Sequence, residues 1–159
     1  MRRRAPCAGD SAFLAALYLD ARPDLGALPV PRSVIEGIAR HQQQMQRDDY
    51  ARRYPAAETW VLEHEGVAVG RLVLERSGPM ARVVDLSVAR AARRRGIARQ
   101  ALRALQDECT ALALRVRADN GAARALYASL GFTLQHSSDG ALELAWRAPD
   151  MEAARRTGS

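Results

Sequence analysis

Residues 83–99 bring together the groups an anion needs. Val83, Val84, Leu86 and Val88 form an apolar, β-branched run around Asp85 and Ser87, and Arg90, Arg93, Arg94 and Arg95 make a basic turn. Gly96 follows, and then Ile97, Ala101, Leu105 and Cys109 recur every four residues, with Ala98 and Leu102 beside them. That spacing predicts a helix with one apolar face. The first amides of a helix lack internal partners and carry the positive end of the peptide dipoles, so phosphates bind well there. Gly96 has no side chain to hold such a ligand away. Neither G-x-x-x-x-G-K-[ST] nor G-x-G-x-x-G occurs, which argues against a nucleoside-triphosphatase loop and a dinucleotide fingerprint.

A second stretch lies downstream. Residues 120–132 read Asn120-x-x-Ala123-x-x-x-Tyr127-x-x-x-Gly131-Phe132. Asn120 suits a helix N-cap, Ala123, Leu126, Tyr127 and Leu130 share a face, and Gly131 can end the helix in the left-handed region. The segment Arg93-x-x-Gly96-x-Ala98 resembles the pyrophosphate signature [Q/R]-x-x-G-x-[G/A] of the GCN5-related N-acetyltransferases. The 120–132 segment resembles the later acetyl-CoA-side motif of that family, in the right order. On these two motifs the chain is identified as a member of the family. Arg90 stands where the family often has proline, and Ala98 where a second glycine is commoner.

The resemblance implies a fold, a co-substrate and a set of site residues. The fold is α/β (α+β): a mixed, mostly antiparallel sheet with flanking helices, parting between the strand that ends near Val88 and the strand 113–117. Acetyl-CoA is the implied co-substrate. Its pantetheine arm would bond the backbone of Leu86, Ser87 and Val88. Its pyrophosphate would lie on the amides from Arg94 through Arg95, Gly96, Ile97 and Ala98 to Arg99, aided by arginine heads, Arg93 included. Tyr127 matches the position of the usual general acid, a phenol close to the sulfur, and Asn120 would bond the pantetheine or cap its helix.

The implied reaction has an amine attack the thioester directly. The amine must be neutral, and the departing thiolate gains from a proton. Asp85 lies on the opposite face of its strand from Leu86. It is a candidate base acting through water, or else a structural partner of an arginine; Glu58 and Glu63 are further candidates. A module that binds acetyl-CoA or a partner chain without transfer is the alternative reading.

The remaining chain must position these groups. A first strand is predicted within residues 2–8, at an edge because of Pro6. Asp10 or Ser11 opens a helix with Phe13, Leu14, Leu17 and Tyr18 inward, and residues 22–31 read as a loop. Ser33-x-x-Glu36 reads as a capping box for a second helix with Ile35, Ile38 and Met45 on one side. A hairpin around Glu65-Gly66 joins strands at 60–64 and 67–76. Strands at 82–88 and 113–117 follow, each leading into one of the motif helices, and two last strands at 132–135 and 142–146 flank residues 137–140. One domain over residues 1–148 and a polar, frayed tail over 149–159 are expected.

The early helices should form the acceptor side, with Gln42–Gln44, Asp48, Asp49 and Tyr50. Those carboxylates would suit a cationic amine such as a polyamine, an aminoglycoside or a protein lysine, or are simply solvated. The acceptor is thus a small-molecule or protein amine, and a homodimer is compatible with the sequence. The net charge of +6 raises nucleic acid as a partner, but aromatics are only 5% and the arginines are spread along the chain, which argues against it. Cys7 and Cys109 are far apart, and His41, His64 and His136 show no ligand spacing, so neither a disulfide framework nor a metal is expected. No apolar run is long enough for a membrane span or signal peptide, which makes a cytoplasmic location the expectation.

Overall fold

The structure is a computed structural model, and it describes residues 1–149, 156 and 158. In chain order the elements are β1 (Arg2–Arg4), α1 (Ser11–Asp20), α2 (Pro23–Gly26), α3 (Arg32–Arg53), β2 (Glu58–His64), β3 (Val67–Glu75), β4 (Ala81–Val88), α4 (Ile97–Glu108), β5 (Ala111–Arg117), α5 (Gly121–Ser129), β6 (Thr133–Ser138) and β7 (Ala141–Arg147). The seven strands are ordered β1-β2-β3-β4-β5-β7-β6, in a mixed, mostly antiparallel sheet. The predicted class is the one observed, and the element order is as predicted apart from the additional helix α2.

The chain divides into two compact units, Met1–Val73 with Asp85–Ile97, and Leu74–Val84 with Ala98–Ser159. In the first unit β1 pairs antiparallel with β2, Arg2 opposite Glu63 and Arg4 opposite Val61. The strand stops at Arg4, short of the predicted residue 8, because Pro6 has no N–H to donate to a ladder. A single 3-10 turn at Ala8–Asp10 then leads into α1, which buries Leu14 and Leu17 beside α3. The loop predicted at 22–31 contains α2, opened by Pro23 and anchored by buried Leu25.

Helix α3 departs from the sequence expectation in two ways. The capping box does not form: the helix begins at Arg32, so Ser33 already lies inside it. Pro31, with φ −55°, presents its carbonyl to the amides of Val34 and Ile35, and Glu36 instead pairs with Arg32. Its inward stripe is Ile35, Ala39 and Gln43, whereas Met45 is exposed. At 3.6 residues per turn Ile35 and Gln43 lie about 40° to either side of Ala39, the middle of that stripe, whereas Met45 lies about 120° from it.

In the second unit β5 and β7 pair antiparallel along their full length, Ala111 opposite Arg147 and Arg117 opposite Ala141. The strands β6 and β7 are longer than predicted, leaving only Asp139 and Gly140, both at positive φ, for the turn. Helix α4 buries Ala101, Leu102 and Leu105, as its four-residue spacing requires, while Cys109 falls just past its end and is half-buried. The β4–β5 ladder is parallel and covers only Ala81–Val83 against Leu112–Leu114. Residues 84–88 of β4 lie beyond it, so their backbone groups on that edge are left out of the β5 ladder among the described residues. The tail expected to fray lies outside the described residues, apart from Pro149, Arg156 and Gly158.

Candidate active site

The basic turn after β4 is built by two left-handed residues. Arg94 has φ 64° and Gly96 φ 75°, and α4 starts immediately afterwards at Ile97. The amides of Arg94, Arg95 and Gly96 donate to no backbone acceptor among the described residues. Left-handed residues within a turn point successive N–H groups toward one concavity, a known way of receiving phosphate oxygens. The α4 dipole adds its positive end there. A Cβ built on Gly96 meets nothing within 4 Å, so the space above this backbone is open. The geometry fits the pyrophosphate of a CoA group.

The arginines of the turn divide their work. Arg93 donates from Nε to the Val88 carbonyl at 3.2 Å and from Nη2 to the Asp20 carbonyl at 3.2 Å. The Asp20 carboxylate in turn accepts from the Arg90 amide at 2.7 Å. Arg93 and Arg90 therefore fasten the turn to the end of α1. Arg94 and Arg95 are exposed and make no hydrogen bond or ion pair among the described residues, so their guanidinium heads remain for an anion. Arg99 points elsewhere, donating to the Ser129 hydroxyl of α5 at 3.0 Å.

Asp85 and Ser87 form a second cluster, and Arg71 completes it. Arg71 is buried in β3, 7% exposed, and donates to Asp85 Oδ2 from Nε at 2.9 Å and from Nη2 at 2.6 Å. Its Nη2 also reaches Gln46 at 3.0 Å. The Ser87 hydroxyl lies 3.0 and 3.1 Å from the two Asp85 oxygens. Of the two roles open to Asp85 in the sequence, this geometry displays the pairing with an arginine. Beside it, Gly70 lets β3 approach β4: a Cβ at residue 70 would stand 2.5 Å from the Ser87 carbonyl. Ala89 closes the same edge with a 2.8 Å bond to the Val69 carbonyl. A cavity of about 160 Å³ opens over this cluster, lined by Arg71, Asp85, Ser87, Gln46, Tyr18 and Leu17 among others.

The other candidate bases are placed differently. Glu63 pairs with Arg4, which also grips Asp10, and Glu58 is exposed. On α3, Asp48 accepts from Gln44 and Asp49 pairs with Arg53. Between α3 and the first strands of its unit lies a cleft of about 510 Å³, walled by Leu14, Tyr50, Tyr54 and Val73 and by the polar Gln43, Arg47 and Arg71. Burial is the main cause that pushes the Tyr50 phenol up to about 12, with the Asp85 charge adding to it, so it stays protonated. Of this set, Gln43 and Tyr50 were expected on the acceptor side from sequence, and Leu14 was expected only to face inward. Gly70-Arg71 inside the apolar run 67–74 was the available signal, because a glycine inside a strand often marks a close backbone approach.

Asn120 caps α5, its Oδ1 accepting from the Ala123 amide at 3.2 Å. Tyr127 is half-buried on α5, its ring tilted 57° against Phe132 with centroids 5.7 Å apart. No group of three metal-ligating side chains occurs among the described residues. Among them, too, no helix is long and apolar enough to cross a membrane.

Residues 16–132 match the family model for the acetyltransferase (GNAT) family, so the chain belongs to that family. Acetyl-CoA is the usual co-substrate there. Solved structures share the fold. The PaiA N-acetyltransferase of Thermoplasma acidophilum, crystallised with coenzyme A, is 13% identical with a TM-score of 0.66, covering 92% of this chain and 98% of that one. The ribosomal-protein-S18-alanine N-acetyltransferase of Escherichia coli is 22% identical with a TM-score of 0.62, covering 92% of each chain. A GNAT family acetyltransferase of Elizabethkingia anophelis with acetyl-CoA bound is 15% identical with a TM-score of 0.56, covering 65% of this chain and 82% of that one. No curated protein matched the chain.

Proposed function

We propose that the protein is an N-acetyltransferase that passes the acetyl group of acetyl-CoA to a primary amine by direct attack. The observation that carries this is the turn at residues 93–96, with its two left-handed residues and free amides ahead of α4. When bound, acetyl-CoA supplies a thioester carbon open to a neutral amine. The amides from Arg94 to Arg99, with the heads of Arg94 and Arg95, would hold the pyrophosphate. The backbone of Leu86, Ser87 and Val88, lying beyond the short β4–β5 ladder, would hold the pantetheine arm. Asn120 fixes the start of α5. As the amine nitrogen bonds the thioester carbon and the C–S bond breaks, the Tyr127 phenol would give its proton to the leaving sulfur, and the proton shed by the nitrogen would pass to the phenolate or to water. Asp85, engaged by Arg71 and Ser87, is assigned to positioning the end of β4 and not to proton removal.

Gly96→Glu tests the assignment of the turn. Glutamate is strained at φ 75° and places a negative charge in the open space above the backbone. Calorimetry should show CoA binding weakened by at least about 100-fold in a protein with unchanged circular dichroism, the scale of losing one charge-assisted anion contact and gaining a repulsion. Unchanged affinity in the folded variant removes the turn from the site.

A further inference from the structure

The acceptor side can be read from the charge of the larger cleft. Arg47 and Arg71 are the charged groups among its lining residues, and no carboxylate lines it. Arg71 is matched by Asp85, whereas Arg47 makes no ion pair or hydrogen bond among the described residues. Gln43, in the same wall and only 6% exposed, has an Nε2 with no acceptor among the described residues. That nitrogen is itself closed to solvent, so it leaves an unsatisfied donor behind the wall and adds no acceptor for an ammonium group. Tyr50, protonated to about 12, adds a second donor beside Arg47. Donors of this kind match a group that only accepts, and they offer an ammonium group nothing.

We propose that the acceptor is an amine that also bears a carboxylate and an apolar body, as an apolar amino acid does, with Arg47 holding the carboxylate. This rests on the acetyl-transfer reading above and names the substrate class of that site. The apolar body suits Leu14, Tyr50, Tyr54 and Val73. Arg71 lines both this cleft and the smaller cavity over Asp85 and Ser87, so the two share one wall. The acidic residues expected to attract a cationic amine do not serve this cleft. Asp48 and Asp49 are tied to Gln44 and Arg53 on the helix surface. A polyamine would bring its charges to two arginines.

The test uses the full chain with acetyl-CoA and three probes: phenylalanine, phenylalaninamide and spermidine, with rates expressed per unprotonated amine. Phenylalanine should exceed phenylalaninamide in kcat/KM by about tenfold or more, with spermidine slowest. Arg47→Gln should lower the phenylalanine value roughly 10- to 100-fold, mainly through KM, and Arg47→Lys should retain part of the preference. Equal or better use of phenylalaninamide or spermidine overturns the proposal, as does a preference that survives Arg47→Gln. Calorimetry without acetyl-CoA separates the two readings. If no amine is acetylated, the transfer reading fails, yet phenylalanine binding that exceeds phenylalaninamide binding and is lost in Arg47→Gln still supports the acceptor class. Equal binding of the two overturns it.

Discussion

Replacing Arg71 with methionine removes a charge from the interior while keeping most of the side-chain volume. Arg71 puts two nitrogens on one Asp85 oxygen, at 2.9 and 2.6 Å, and a third bond on Gln46 at 3.0 Å. Without it, the Asp85 side chain, 19% exposed, keeps only the Ser87 hydroxyl. Removing one partner of a fully buried pair costs about 3–5 kcal/mol. Because Asp85 is partly hydrated and Ser87 remains, the loss here should be about 2–4 kcal/mol. For a chain of this size that lowers the melting temperature by about 4–16 °C. Urea denaturation is the suitable assay, since guanidinium salts would screen the pair being measured. The double variant Arg71→Met/Asp85→Leu removes both charges, and it should be more stable than Arg71→Met alone. A single-variant loss below about 1 kcal/mol, or a double variant whose losses simply add, would refute the view that this pair is coupled in the interior.

Two further outcomes follow from the same unit. Gly70→Ala puts a methyl 2.5 Å from the Ser87 carbonyl, so β3 and β4 must shift; stability should fall by about 1–3 kcal/mol in urea titrations, and CoA affinity should weaken along with it. Asp10 is held well below its usual 3.8, chiefly by the hydrogen bonds from Arg4 and then by the Cys7 amide. A carboxyl depressed in the folded state contributes stability above its unfolded value and loses it as pH falls through the folded value. Urea midpoints of the wild type should therefore drop below about pH 4, whereas Asp10→Asn should start lower at neutral pH and show a shallower acid limb.

The parts of the site that rest on backbone and local chemistry were legible in the residues. Gly96 was expected to leave open space just ahead of a helix, and nothing lies within 4 Å of where its Cβ would stand; Asn120 suited an N-cap, and its side chain accepts from the Ala123 amide. The helix-ending Gly131 has φ 90°. What stayed hidden depends on partners distant in the chain. The apolar run around Arg71 and the basic turn around Arg94 hint that one is buried and the other exposed, but that Asp85 is the partner of Arg71 is decided by strand pairing and not by local sequence. The acidic run on α3 looked like an attractor for cations, but its carboxylates bond i−4 and i+4 neighbours on the helix itself. Arg47, one residue before that run, faces the cleft instead. Pro31 likewise overrode the Ser33–Glu36 capping signal, since its carbonyl already receives the first amides.

The central claim is that this chain transfers acetyl groups, with Tyr127 supplying a proton to the departing sulfur. Thiol release from acetyl-CoA, followed with a disulfide reagent in the presence of an amine panel, measures it directly. The wild type should release CoA in an amine-dependent way. In Tyr127→Phe, which keeps the ring against Phe132, turnover should fall by roughly 10² to 10⁴ with little change in CoA affinity. Acetyl-CoA binding without amine-dependent release by the wild type would contradict the claim of transfer, and full turnover in Tyr127→Phe would reduce Tyr127 to a packing residue.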